Sequence, residues 1–184
     1  MPADFTSSNA PQLSRLDKWL DRAALLLVLI FLISGILTLP RYGLSWDEGL
    51  GNVFFGERYY FYLSTFQEKY LDVRTNLAAT RDLPLDLYLS PYREHPYVYP
   101  PLADTVSAAG MHLLAYNLKW MDPVDAFHLP KVILSAVFLW VLYRFFARRA
   151  GRPVALMGLL ILSLSPRFWG EMHFNPKDIP ETVF

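Results

Sequence analysis

Cysteine is absent from this sequence, so it has no disulfide and no thiolate metal site. Charge is also scarce. Only 18% of the residues are charged, and 17 basic residues balance 17 acidic ones to a formal net charge of zero. With no global positive field to gather phosphates, nucleic acid is excluded as a partner. The 4 histidines, His95, His112, His128 and His173, show no paired ligand spacing on one helix, so no essential metal is expected. Apolar residues are abundant instead: 53% of the 184 residues are hydrophobic and 16% aromatic, a balance that leans toward a membrane protein.

After a polar start, Arg15, Lys18, Trp19 and Arg22 form an interfacial turn of helix with its cations on the cytoplasmic side. Residues 23–39 then carry no charge and, at about 1.5 Å per residue, reach about 26 Å, enough with their flanks to span a bilayer. The run ends Thr38-Leu39-Pro40-Arg41 without a small-x-small cleavage site, which indicates a retained anchor with its amino end inside. A pair of carboxylates follows at once, in Ser45-Trp46-Asp47-Glu48-Gly49. A second polar knot, His173-Phe174-Asn175-Pro176-Lys177-Asp178, follows another apolar run.

Between the two knots, residues 41–128 contain no clean spanning run. Clustered rings such as Phe54, Phe55, Tyr59 and Tyr60 suit helices lying in the interface. The prolines of 92–101 fix an extended strap, because each locks its own φ and restricts the residue before it. The helix expected over 102–118 is interrupted by Asp104, Ser107, His112 and Asn117, and is read as lying along the exterior face. The positive-inside rule supports this. If that helix does not cross, Arg144, Arg148, Arg149 and Arg152 are cytoplasmic, and both acidic knots face the same exterior. Lys131 and Arg144 bound the uncharged run 132–143 and are expected to snorkel, and Pro153 suits the first turn of the next helix.

The expected fold is therefore an all-α polytopic membrane protein with three spanning helices and interfacial helices in a long exterior loop. Its order is a cytoplasmic segment 1–22, a span 23–40, an exterior loop 41–128, a span 129–147, a cytoplasmic turn 148–153, a span 154–168, and a second exterior loop 169–184 that starts a further helix.

The sequence of features is an anchor, an Asp-Glu pair, a His-Pro to Pro-Pro-Leu strap (residues 95–102), a Leu-Pro-Lys helix ending in arginines, Ser163-Leu164-Ser165-Pro166, and Asp178. This order resembles the amino-terminal part of the polytopic glycosyltransferases of the GT-C fold, the class that includes protein O-mannosyltransferases and the lipid A aminoarabinose transferase. The resemblance implies an inverting transfer of a sugar from a polyprenyl-phosphate donor to an acceptor at the exterior face, in a bacterial inner (plasma) membrane. It implies Asp47 as general base, with Glu48 as the second candidate and Asp178 as the second exterior acid. Arg41, Arg93 and Lys177 are the cations for the donor phosphate, and His95 would orient the acid loop. No cofactor is essential beyond the lipid-linked donor. One branch of the family uses a divalent ion and another is thought to work without it, so the resemblance leaves the metal open. Family members have many more spans, so the chain is expected to be a front portion or a shortened relative. The alternative readings are a non-catalytic membrane subunit packed in a larger complex of membrane proteins, or a module that holds a polyprenyl chain.

Overall fold

In a computed structural model, residues 14–45, 48–71 and 102–174 are described, and all of the elements among them are helical. α1 (Arg15–Thr38) starts where its sequence dictates. The Ser14 hydroxyl accepts from the Asp17 N–H at 3.0 Å, and the Asp17 carboxylate accepts from the Ser14 N–H at 3.1 Å, closing a capping box. α2 (Val53–Thr65) is entered through a wider, π-type turn at Glu48–Asn52. α3 (Leu102–Met111) likewise relaxes into a π-type stretch at His112–Asn117. α4 (Pro123–Arg149) begins ahead of the expected residue 129, because Asp122 caps it, accepting from the Val124 N–H at 2.9 Å, and Pro123 fits its first turn.

Two helices, Arg15–Arg41 and Pro123–Arg149, are long and apolar enough to cross a membrane. The third expected span, 154–168, is not one continuous helix. It is α5 (Arg152–Ser163) followed by α6 (Pro166–Phe174), bent by 61°, and the pair meets the same test only when taken together. Pro166 explains the break: it has no N–H to donate back into α5, and its ring disfavours helical geometry at Ser165.

α1 and α4 run antiparallel. Tyr143, near the end of α4, donates to Asp21, near the start of α1, at 2.7 Å, and Arg152 Nε donates to the same oxygen at 3.0 Å. The chain therefore leaves α1 and enters α4 at one end, and the cations of both helices gather at the other. α3 packs against α2 and α4. Glycines make this approach possible: a Cβ on Gly56 would lie 2.5 Å from the Asp104 carbonyl oxygen, and one on Gly110 would lie 2.8 Å from Pro130 Cγ.

Two cores result. One joins α1, α4, α5 and α6 through residues such as Val28, Phe31, Val132, Leu139, Leu159 and Met172. The other joins α2, α3 and the start of α4 through Val53, Phe54, Phe55, Ala108, Met111 and Phe127.

Candidate functional site

The acidic knot after α1 is anchored by Glu48. Its carboxylate accepts from the Ser45 N–H at 2.9 Å, while its own N–H reaches Ser45 Oγ at 3.4 Å, the reciprocal pair that a Ser-x-x-Glu spacing makes at a helix start. The same oxygen, Oε2, meets His128 Nε2 at 3.2 Å, and Oε1 accepts from Lys131 Nζ. His128 and Lys131 are three residues apart on α4 and so project from one face of it. All three side chains are shielded from solvent, with Glu48 and His128 at 0% and Lys131 at 2% relative exposure. Burial by itself pushes the Glu48 carboxyl up. The bond to His128 and the charge of Lys131 outweigh it, so Glu48 is held below the usual carboxylate range, as an anion. Because Nε2 of His128 faces this anion, Nε2 carries the proton, which leaves Nδ1 buried without a partner.

One turn along, Asn52 donates from its amide to both oxygens of the buried Asp104 carboxylate, at 3.0 and 3.1 Å. Further along α2, Glu57 meets His112 Nε2 at 2.7 Å, and the His112 ring stacks on Tyr60 with centroids 4.8 Å apart. Acids from α2 and α3 thus line a buried seam. Each has a partner on a facing helix, as an ionisable group removed from water requires.

The first acidic knot also touches the start of the second. Ser45 Oγ donates to the Phe174 carbonyl at 3.4 Å, and Tyr42 stacks on His173 with centroids 3.9 Å apart. His173 Nδ1 lies 2.9 Å from the Trp169 carbonyl, and its Nε2 lies 3.2 Å from Thr38 Oγ1, tying the end of α6 to the end of α1.

Of the residues expected at the site, Glu48 is buried in this seam, and Arg41 is exposed at the same end of the bundle. Asp47, Arg93, His95, Lys177 and Asp178 lie outside the described residues. Lys131 does not snorkel as expected, because the Glu48 carboxylate holds it inside the fold. His128, Asn52 and Asp104 were not expected to take part. Two signals could have found the Glu48 and His128 part of the seam, the Ser-x-x-Glu spacing at 45–48 and a histidine and a lysine three apart in α4, but neither marks Asn52 or Asp104. Among the described residues, no group of His, Asp and Glu is arranged to hold a metal ion.

No family model, curated protein or solved structure matches the chain.

Proposed function

We propose that this chain supplies the acidic exterior face of a membrane glycosyltransferase, which moves a sugar from a polyprenyl-phosphate donor to an acceptor. The observation that supports this most is the contact between Ser45 and Phe174, since the segments carrying Asp47 and Lys177–Asp178 leave from these two hydrogen-bonded residues. Glu48 is committed to Ser45, His128 and Lys131, so it acts as the anchor, and its sequence neighbour Asp47 is the base.

In the reaction, the acceptor oxygen attacks the anomeric carbon and its proton passes to the Asp47 carboxylate. The bond from that carbon to the phosphate oxygen breaks, and the phosphate leaves with the electron pair. Cations stabilise the charge gathering on the phosphate; Arg41, Arg93 and Lys177 fill this role, with His95 and Asp178 positioning loop and acceptor. The arginine-rich end is cytoplasmic by the positive-inside rule, which puts the amino terminus inside and the acidic face outside a bacterial plasma membrane.

The test is turnover of a polyprenyl-phosphate sugar by the full-length protein in membrane. Asp47→Asn should lower turnover by about a hundredfold or more while donor binding persists. Wild-type turnover in that variant would remove the base assignment. A second reading, a non-catalytic subunit, is favoured by the complete pairing of Glu48, which is how a packing residue behaves. Failure of the wild-type protein to bind the donor would select it.

A further inference from the structure

Among the described residues, the end of the bundle opposite the acidic seam holds more cations than acids. Asp17 and Asp21 are the acids there among the described residues, and Arg152 holds both, with Nη1 at 3.6 Å from Asp17 and Nε at 3.0 Å from Asp21. Arg15, Lys18, Arg22, Arg144, Arg148 and Arg149 are exposed and form no ion pair among the described residues, although the charge of Arg144 acts on Asp21 at longer range. Aromatic faces hold three of these guanidiniums. Arg22 lies 5.6 Å from the centre of the Trp19 ring, Arg144 5.7 Å from that of Trp140, and Arg149 5.6 Å from that of Phe145. Trp19 and Phe145 are themselves exposed, so ring and charge form a surface that is apolar on one side and cationic on the other. Tyr143, Asp21 and Arg152 lock α1, α4 and α5 together beneath it, so the cations are mounted on a fixed base. At the acidic end, Arg167 has a partner of its own, Glu171 at 3.8 Å.

We propose that this collar is a binding site for the headgroups of anionic phospholipids in the leaflet at that end. The chemistry fits on three counts. A guanidinium offers a planar fork of donors that matches phosphate oxygens. Aromatic rings settle at headgroup depth. Unpaired cations beside a negatively charged leaflet gain attraction that a zwitterionic lipid does not supply. The site stands whether or not the chain transfers sugar.

The test uses the full chain in nanodiscs of phosphatidylcholine, with spin-labelled phosphatidylglycerol or spin-labelled phosphatidylcholine as the probe. Phosphatidylglycerol should bind preferentially. Arg148→Gln should reduce that preference by up to about fivefold, the effect of one fully engaged cation at an anionic surface. The triple change of Arg144, Arg148 and Arg149 to Gln should abolish it. Arg167→Gln, at the other end, should leave it unchanged. Should the triple variant fail to fold, Arg148→Gln alone carries the test, since that side chain is exposed and has no ion-pair or ring partner among the described residues. Equal binding of the two probes would overturn the proposal, as would an equal loss on Arg167→Gln. Displacement of the phosphatidylglycerol probe by inorganic phosphate at matched concentration would also overturn it, by assigning the cations to free phosphate.

Discussion

The two apolar cores of this molecule share one helix, and a seam of buried acids with their partners runs beside the second. Along α4, Val132, Ala136, Leu139 and Tyr143 face α1, α5 and α6, and the buried hydroxyl of Ser135 bonds back to its own helix at the Lys131 carbonyl, 2.9 Å away. At the start of the same helix, His128 and Lys131 turn toward the acidic knot, and every acid of that seam is answered from another helix. The difference is one of tolerance. An apolar core accepts many residues of similar volume, whereas a buried ion pair is destabilised sharply by loss of either member and much less by loss of both.

The largest expected effect follows from that asymmetry. Lys131→Met should destabilise the protein by about 3–5 kcal/mol, because it leaves the Glu48 anion buried with only His128 and the Ser45 N–H to meet it. The double variant Glu48→Gln/Lys131→Met should recover most of the loss in denaturant unfolding in micelles. A double variant as unstable as the single one would show that the pair does not act as a unit. In the apolar core, Leu139→Ala should cost about 3 kcal/mol through lost contacts and a cavity, with no charge change elsewhere able to restore it.

Acid separates the two cores by a smaller effect. Because the folded state holds the Glu48 carboxyl below its ordinary value of 4.5, its contribution is complete above that value and is lost as pH falls through the lower, folded one. Amide exchange in α2 and α3 should therefore accelerate on acidification before that in α1 and α5. Glu48→Gln should flatten the response, and simultaneous loosening of all four helices would erase the distinction. The smallest effect on the fold is expected at the cationic end. Arg149→Cys, at an exposed residue, should change stability by no more than about 0.5 kcal/mol. An impermeant thiol reagent applied from outside should not label it, and labelling would reverse the proposed orientation.

Much of the apolar core was legible in the chain. The uncharged run 23–39 marks the body of α1, and Arg144, Arg148 and Arg149 mark the end of α4, whereas the start of α1 at the Ser14–Asp17 capping box went unread. The bend before α6 was written in Pro166, yet the apolar run on either side of it reads as one span. The polar seam was far less legible. Asp104 and His112 read as interruptions of an interfacial helix, and Lys131 reads as a snorkelling flank, when each answers a charge on another helix or lies beside one.

Hydropathy, charge runs, caps and proline are properties of neighbouring residues. For that reason the sequence by itself determined the all-helical class, the apolar run at the heart of α1 and the cationic end of the bundle. Which cation meets which acid depends on how helices dock. Glu48 finds His128 80 residues away and Lys131 83 residues away, across close approaches that Gly56 and Gly110 permit. No local pattern encodes such a distance, so only the tertiary structure decided that Glu48 is an anchor held inside the fold and that the chain beyond Ser45 starts beside Phe174.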